Sequence, residues 1–151
     1  MTTRRTTTED LENLTDLGIR SKASWGYSND QMAVFRAELT WSEGSLASRR
    51  VYAIQNDELS LLGYYSLKPI DRTSVKLEHI FVDPAYFGLE IGRHLFDHAR
   101  RTAACSGCLR MTILSDSNAA GFYDRVGCRK TEDMPSSIPG RTLPVYTVDL
   151  T

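Results

Sequence analysis

The sequence contains few cysteines, no export signal and no long apolar run, and these absences exclude several classes of protein. Its three cysteines, Cys105, Cys108 and Cys128, are an odd number in 151 residues. They predict free thiols in a reducing, cytoplasmic environment and not a disulfide framework. The first ten residues are polar and lack the apolar segment of a signal peptide. Because no apolar run reaches the length of a transmembrane helix, we expect no membrane partner.

The chain also lacks an excess of charge of either sign. Its 18 lysines and arginines face 19 acidic residues, and the formal net charge is −1. This balance does not favour nucleic acid as a partner. What is present is a globular mixture, with 41% hydrophobic and 25% charged residues, in a chain the size of one ordinary domain. Because no repeat or linker interrupts it, we predict a single domain over residues 1–151.

Hydrophobic periodicity and turn residues predict a mixture of helices and strands. Asn56-Asp57 is expected to close an antiparallel hairpin, and Gly127 to stop a helix in the left-handed conformation. The predicted fold class is α/β, with a central sheet covered by helices. The predicted helices cover residues 7–19, a segment from residue 29, 89–104 and 118–126, and the predicted strands cover residues 50–55, 59–67, 75–82, 109–114, 128–131 and 144–150.

The most informative segment is a strand, a glycine-containing turn and an amphipathic helix between residues 77 and 104. Asp83-Pro84 ends the strand, and Gly88 and Gly92 flank the start of the helix. A helix begins with backbone N–H groups that have no partner inside the helix, and it carries about half a positive charge there. Glycines let an anion approach such a backbone closely. The segment therefore predicts a cradle for a pyrophosphate; the alternative is a turn that only joins a strand to a helix.

A second motif follows, and the two motifs together resemble the GNAT superfamily of N-acetyltransferases. The sequence NAAGFYDRVGC at residues 118–128 is similar to the family signature Asn-x-x-Ala-x-x-Phe-Tyr-x-x-x-Gly-Phe. The sequence FGLEIG at residues 87–92 lies where the family has Gln/Arg-x-x-Gly-x-Gly/Ala. Here Phe87 replaces the first residue of that pattern and Glu90 replaces its middle glycine. The segments at residues 24–27 and 137–144 are similar to a bacterial subgroup of unassigned substrate.

The resemblance implies a fold and a co-substrate. The fold is a twisted, mostly antiparallel central sheet flanked by helices, with a V-shaped splay between the fourth and fifth strands. The co-substrate is acetyl-CoA, whose pantetheine arm would run beside residues 80–82, where a backbone N–H polarises the acetyl carbonyl. Core packing is the alternative for these strand residues, and both can hold. The cofactor-binding residues that the resemblance implies are Ile80, Phe81, Val82, Phe87, Gly88, Leu89, Glu90, Ile91, Gly92, Arg93, Asn118 and Tyr123.

Tyr123 and Glu78 are the predicted catalytic residues. The second motif implies that Tyr123 is the general acid for the departing coenzyme A thiolate; the alternative is a ring that fills core space. Glu78 is the candidate general base, acting directly or through water, because a carboxylate in an apolar strand is costly unless paired or used. Its alternative is a solvent-facing strand position, and His79 is the competing base. Asn118 either binds the pantetheine arm or caps its helix.

The acceptor side is predicted from the first two helices and their connector, which cover the acceptor in this family. Trp25, Tyr27 and Tyr64 are candidate walls of the acceptor site, or else ordinary packing residues. His79 and Arg141 complete the predicted substrate set.

No metal site is predicted. Cys105 and Cys108 follow a helix instead of opening one, so a redox thiol would lack activation by the helix dipole. They also lack the second ligand pair of a zinc site. His94 and His98 lie four residues apart on a helix, but the glutamate and third ligand of a zinc protease are missing.

Together these residues predict an acyl-CoA-dependent N-acetyltransferase that moves an acetyl group from acetyl-CoA to a primary amine by direct transfer. The sequence does not identify the acceptor, which is a small molecule or a protein, and a larger acyl group stays open. The alternative is a coenzyme A-binding regulatory or interaction module without transfer activity. Phe87 and Glu90 favour that alternative, whereas Tyr123 and Asn118 oppose it. The resemblance is also compatible with a homodimer.

Overall fold

The computed structural model describes residues 1–150, apart from the side chain of Ser117. The strands are β1 (Thr2–Arg5), β2 (Arg50–Gln55), β3 (Leu61–Pro69), β4 (Ser74–Val82), β5 (Arg110–Leu114), β6 (Arg129–Pro135) and β7 (Thr142–Asp149). The α-helices are α1 (Leu11–Ala23), α2 (Asn29–Leu39), α3 (Glu43–Ala47), α4 (Ile91–Cys105) and α5 (Ala120–Arg125). Short 3-10 turns cover Thr8–Asp10, Pro84–Tyr86 and Ser117–Ala119.

The strands form one mixed sheet in the order β1-β2-β3-β4-β5-β7-β6. Strands β4 and β5 pair in parallel, from Ser74 opposite Arg110 to Leu77 opposite Ile113. The pairs β1–β2, β5–β7 and β6–β7 are antiparallel. Because β4 continues past this register to Val82, its end outruns its pairing with β5, which is consistent with the expected splay. The predicted α/β class, a mostly antiparallel sheet flanked by helices, is confirmed.

Two predicted turns are present in the structure. The side-chain carbonyl of Asn56 accepts hydrogen bonds from the amides of Glu58 and Ser60, both at 3.0 Å, and this closes the connection from β2 to β3. Gly127 follows α5 with a φ of 90°, the left-handed conformation expected of a residue that ends a helix. These local signals were readable because the side chain itself makes or permits the turn.

Strand β1 has no counterpart among the predicted elements, since the first ten residues show only polar character. It pairs with β2, and the Arg4 guanidinium donates to Gln55 at 2.7 Å and to both carboxylate oxygens of Asp10 at 2.9 and 2.8 Å. The Arg4 hydrogen bond holds the pKa of Asp10 below its usual value, against the opposing effect of burial. Backbone pairing and one arginine hold this strand, so apolar alternation does not reveal it.

The chain forms two compact units, and the first consists of Met1–Ser66 and His79–Asp97. Its core joins Leu14 and Leu17 of α1 to Trp41, Val51 and Tyr64, all of them buried. Full burial of one leucine side chain contributes about 1.5–3 kcal/mol. The apolar face of α1 therefore accounts for much of the stability of this unit.

The second unit consists of Leu67–Glu78 and the chain from His98 onward. On β5, the buried residues Met111 and Ile113 lie opposite Val148 and Tyr146 of β7, which are also buried. Burial alternates along β5, as in a strand with one face in a core, whereas residues 144–148 of β7 are all buried. The single domain over residues 1–151 stays a prediction.

Helix α4 has the apolar face that its sequence predicts. Ile91, Leu95 and Ala99 are four residues apart and buried, and Phe96 is buried beside them. Among the described residues, no helix combines the length and the apolar character needed to cross a membrane.

Candidate active site

Asp83 directly follows β4 and makes hydrogen bonds with several partners. Its backbone N–H donates to the carbonyl of Leu62 at 2.8 Å. Its carboxylate accepts from the amide of Ala85 at 3.0 Å and pairs with Arg20 of α1 at 2.8 Å. Burial raises the pKa of Asp83, but the Ala85 hydrogen bond and the Arg20 guanidinium outweigh burial and leave the pKa below its usual value. Asp83 therefore stays ionised at neutral pH and fixes the point where the chain leaves the strand.

The turn from Asp83 to α4 contains two residues in the left-handed conformation, Gly88 with a φ of 82° and Glu90 with a φ of 61°. The carbonyl of Glu90 accepts the amide of His94 at 3.1 Å, so the first turn of the helix begins at Glu90. A left-handed backbone costs a residue with a Cβ roughly 1–2 kcal/mol. Glu90 thus adopts a conformation that favours glycine, which is the residue that the family pattern has at this position.

The geometry of this turn fits a diphosphate. A Cβ built on Gly88 would meet no atom within 4 Å, so the space beside its backbone is open. The turn leads into the N-terminus of a helix of 15 residues, which supplies N–H groups and a partial positive charge. Phe87 and Leu89 beside it are 48% and 60% exposed. The exposed Glu90 side chain brings negative charge to the same turn.

Gly63 of β3 permits a close approach of the strands and α4. A Cβ at this position would lie 2.7 Å from the carbonyl oxygen of Phe81 and 2.9 Å from the Leu95 side chain. Only glycine fits there without movement of the backbone of β4 or of the helix. Gly63 therefore lets the end of β4 lie close to β3 and to α4, whose N-terminus is the predicted cradle. The sequence signal for it is a glycine inside an apolar strand.

His79 lies on β4 in an aromatic cluster, which we define as Trp41, Tyr64, His79 and Phe81. The imidazole centroid is 5.4 Å from Trp41, 6.4 Å from Tyr64 and 5.9 Å from Phe81. Its Nδ1 is 2.7 Å from the hydroxyl oxygen of Ser66, a fully buried residue of β3. The structure thus fixes one nitrogen of the candidate base His79.

The three predicted acceptor-site aromatics have different environments. Tyr64 is fully buried, and its hydroxyl accepts a hydrogen bond from the indole N–H of Trp41 at 3.2 Å. Tyr27 packs edge-on against Phe35 of α2, with a centroid distance of 4.8 Å. Trp25 is 47% exposed, as a residue that contacts a ligand can be. Their role as acceptor walls stays a prediction.

In the second unit, Asp116 gathers two of the predicted site residues. Its carboxylate accepts from the backbone amide and the side-chain amide of Asn118, both at 2.9 Å. It also pairs with Arg141 at 3.2 Å, where both side chains are less than one-fifth exposed. Asp116, and not Asn118, therefore caps the 3-10 turn that leads into α5. Asp116 is not among the residues predicted from the sequence, and its signal is an aspartate two residues before the amide that it caps.

Tyr123 of α5 is 2% exposed and packs against Phe122 and Tyr146, with ring centroids 5.1 and 5.5 Å away. Burial, with smaller contributions from Cys128 and Asp116, holds the pKa of the Tyr123 phenol far above its usual value. Burial likewise raises the pKa of the Cys128 thiol to about 11. Tyr123 is therefore a protonated phenol at every ordinary pH, as a general acid must be before it acts.

The structure distributes the predicted site residues over both units. In the first unit, Ile80, Phe81 and Val82 lead into the turn that carries the other cofactor residues of the loop, and His79 and Tyr64 share the aromatic cluster. In the second unit, Asn118 and Arg141 share Asp116, and Glu78 and Tyr123 belong to this unit as well. The roles of all these residues stay predictions.

The cysteine pair and the histidine pair, for which the sequence predicts no metal site, lie at the end of α4 and within it. Cys105 is the last residue of α4, so the pair with Cys108 follows the helix. Among the described residues, no group of three or more histidine, cysteine, aspartate or glutamate side chains has the arrangement of a metal site.

Solved structures share this architecture over the full chain. A GCN5-related N-acetyltransferase from Rhodopseudomonas palustris superposes with a TM-score of 0.82 at 22% identity, covering 98% of this chain and 94% of that one. The PaiA N-acetyltransferase from Thermoplasma acidophilum, in complex with coenzyme A, gives 0.80 at 20% identity, with 98% of both chains covered. An aminoglycoside 6'-N-acetyltransferase complexed with coenzyme A gives 0.74 at 15% identity, with 100% and 98% covered. At these identities the likeness establishes the fold.

Sequence comparison gives the family itself. No functionally curated protein matches this chain significantly. The acetyltransferase (GNAT) domain, however, matches residues 47–129, which are more than half of the chain and contain β2 to α5 with the cradle and Tyr123. The chain therefore belongs to the GNAT family of acetyltransferases, the acyl-CoA-dependent N-acetyltransferases that use acetyl-CoA as the acetyl donor.

Proposed function

We propose that this protein transfers an acetyl group directly from acetyl-CoA to a primary amine of a small-molecule or protein acceptor. The observation that carries the proposal is the turn before α4, where Gly88 and Glu90 hold the left-handed backbone and the space beside Gly88 is open. A diphosphate at this turn would take hydrogen bonds from the first amides of α4. A cytoplasmic location and a one-domain organisation belong to the same proposal.

Bound acetyl-CoA supplies the thioester that the amine attacks. We propose that residues 80–82 hold the pantetheine arm by backbone hydrogen bonds and that residues 87–93 hold the diphosphate. A backbone N–H in the strand would stabilise the oxyanion as the thioester carbonyl becomes tetrahedral. Arg93, one turn into the helix, would offset part of the charge of Glu90. Asn118 would contribute a further amide to the pantetheine arm.

Tyr123 would complete the transfer. The acceptor ammonium loses one proton to a base, and the nitrogen lone pair forms the new C–N bond while the C–S bond breaks. The leaving thiolate takes the proton of the Tyr123 phenol, and the second proton lost from nitrogen restores the phenol. Burial keeps the pKa of Tyr123 high, so the phenol carries its proton at every ordinary pH but is a weaker acid than an exposed tyrosine.

Two neighbours on β4, Glu78 and His79, are the candidate bases. Glu78 is partly buried on β4, between Leu77 and His79. His79 has one nitrogen bonded to Ser66 and its ring in the aromatic cluster. Glu78→Gln and His79→Asn variants separate them, because the true base controls the acidic limb of the pH–rate profile.

The acceptor would be an amine that meets the aromatic connector between α1 and α2. Trp25, Tyr27, Tyr64 and Arg141 are the proposed contacts. The aminoglycoside 6'-N-acetyltransferase that shares the fold acts, by its name, on an aminoglycoside, which is one class of amine to test. Peptide N-termini, lysine side chains, amino acids and polyamines are the others.

The second candidate is a coenzyme A-binding module without transfer activity. Two observations favour it: an exposed apolar side chain at Phe87 where the family pattern has a basic or amide residue, and an acidic one at Glu90. Both features weaken the attraction between the turn and a diphosphate.

Calorimetric titration with coenzyme A and acetyl-CoA, followed by a thiol-release assay over the amine classes above, tests both candidates. Binding with amine-dependent thiol release supports the transferase. Binding without thiol release for any amine supports the module. If purified, folded protein binds neither compound, both candidates are wrong.

A further inference from the structure

We propose that Ser66 is a positioning residue that keeps the proton of His79 on Nδ1, so that Nε2 carries the lone pair that accepts the proton of the acceptor ammonium. The inference rests on the proposed function and chooses between the two candidate bases on β4. It assigns a role to Ser66, which neither the family motifs nor the sequence pattern indicates.

The contact between the two side chains is short and protected. The Ser66 hydroxyl oxygen lies 2.7 Å from Nδ1, and Ser66 is fully buried on β3. A serine in a strand has few rotamers, and burial excludes water as a competing partner for its hydroxyl. The imidazole is also confined by Trp41 and Phe81, whose ring centroids lie within 6 Å of its own. Nδ1 therefore faces Ser66 of β3, and Nε2 takes no part in that contact.

A hydroxyl suits a histidine that must take up and release a proton. When Nδ1–H donates to the serine oxygen, the same hydrogen bond exists in the neutral imidazole and in the imidazolium. Proton uptake at Nε2 then needs no rearrangement around Nδ1. A carboxylate in the place of Ser66 would hold the imidazolium strongly and oppose proton release. The hydrogen bond at Nδ1 sets the tautomer of the imidazole, and this is the role proposed for Ser66.

Other titratable groups lie near this pair. The Tyr64 phenol is in the same aromatic cluster and bonds to the Trp41 indole. The Arg49 guanidinium lies over the Trp41 ring, 6.0 Å from its centroid. Glu78 precedes His79 on the strand. Removal of the Arg49 charge would shift the pH profile only electrostatically. Loss of Ser66 would change the tautomer of His79 as well.

Nitrogen-15 NMR of histidine-labelled protein tests the tautomer without any acceptor. The chain has three histidines, so the signals of His79 are assigned by their loss in His79→Asn. The asparagine side chain can place its amide where Nδ1 was and keep the bond to Ser66. We expect the Nδ1–H form in the native protein and a shift toward the Nε2–H form in Ser66→Ala. An Nε2–H form in the native protein, or an unchanged tautomer in Ser66→Ala, overturns the proposal.

The kinetic test uses the amine that the thiol-release assay selects. We expect His79→Asn to lower kcat by about 10²–10⁴-fold and to abolish the acidic limb of the pH–rate profile. Ser66→Ala should lower kcat about tenfold and move that limb to lower pH, since the imidazolium loses a stronger hydrogen bond than the neutral ring does. His98→Asn on α4 is the matched control, and it should keep the native profile.

Three results separate the possible failures. If Glu78→Gln removes the acidic limb and His79→Asn does not, His79 is not the base. If Ser66→Ala lowers the rate equally at every pH, Ser66 has a structural role only. If no amine is acetylated although coenzyme A binds, the proposed function fails, and the tautomer measurement still decides whether Ser66 sets the state of His79.

Discussion

The turn at residues 83–93 and the helical segment at residues 116–128 each contain one of the two family motifs. The first motif departs from the family pattern, and the second is more similar to it. The turn lacks two of the residues that the family pattern specifies, and its Glu90 adopts the left-handed backbone. The helical segment keeps its tyrosine and asparagine, with Tyr123 buried and Asn118 bonded to Asp116. Because backbone amides form the proposed diphosphate site and a phenol is the proposed acid, we expect only the first to tolerate a change of side chain.

This difference has an energetic basis. Diphosphate recognition at a helix N-terminus depends on N–H groups whose positions follow from φ and ψ. Glu90 retains those angles at a strain of roughly 1–2 kcal/mol. Proton donation to a thiolate has no backbone substitute, so the second motif must keep its phenol. Four predictions test this comparison, and they are given in decreasing order of effect.

Loss of the Tyr123 phenol should have the largest effect on activity. Tyr123→Phe removes the proposed acid and should lower kcat by about 10²–10⁴-fold, with little change in the dissociation constant for coenzyme A. Because burial raises the pKa of Tyr123, the phenol stays protonated through the alkaline range, and the alkaline limb of the native profile should belong to another group. Steady-state kinetics and calorimetry measure both effects.

Tyr146→Phe is the matched control, since this ring lies 5.5 Å from Tyr123 and has no proposed chemical role. It should keep most of the activity. If Tyr146→Phe and Tyr123→Phe lose the same fraction of kcat, the phenol of Tyr123 acts only through packing.

A methyl group at Gly63 should have the largest effect on stability. The added Cβ would lie 2.7 Å from the Phe81 carbonyl oxygen, so the backbone of β3 or β4 must move. We expect Gly63→Ala to lower the free energy of unfolding by about 1–3 kcal/mol and to weaken coenzyme A binding. In Gly44→Ala the nearest atom is 3.9 Å away and the residue is helical, so that variant should be neutral or slightly more stable. Equal urea midpoints for the two variants would show that the close approach is not a constraint.

Replacement of Glu90 separates charge from backbone at the turn. Glu90→Gln removes the negative charge and keeps the strain, whereas Glu90→Gly removes both. Each should tighten coenzyme A binding by a few fold, or about 0.5–1 kcal/mol for an exposed charge. Only the glycine variant should also gain stability, by about 1 kcal/mol, from release of the left-handed strain. Tighter binding in neither variant would mean that the carboxylate stays far from the diphosphate.

The Arg20–Asp83 pair should have the smallest effect. Arg20 is half exposed, so Arg20→Gln should lower the free energy of unfolding by less than about 1 kcal/mol. Because the folded-state pKa of Asp83 is lowered, this contribution is present above the unfolded value near pH 4 and disappears as the pH falls through the lower folded pKa. Urea denaturation at the two pH values should therefore show a smaller difference in the free energy of unfolding between native protein and Arg20→Gln at pH 3 than at pH 7.

Local signals in the sequence predicted most of the elements. The apolar spacing of Ile91, Leu95 and Ala99 predicted α4, and Asn56 and Gly127 predicted a turn and a helix end, because each of these residues acts on its own neighbourhood. The family motifs predicted where the diphosphate turn and the tyrosine lie along the chain. Strand β1 was missed because an arginine and backbone pairing hold it instead of an apolar pattern.

The sequence by itself determined the fold class, the family and the positions of the two motifs, since periodicity and short motifs are local properties of the chain. Only the tertiary structure decided that Ser66 contacts His79, that Gly63 leaves room for the Phe81 carbonyl and that Asp116 holds both Asn118 and Arg141. Except for Asp116 and Asn118, which are two residues apart, these contacts join residues at least 13 positions apart in the chain. Strand register and helix packing determine which polar residues and glycines come into contact. A local sequence pattern predicts neither of them.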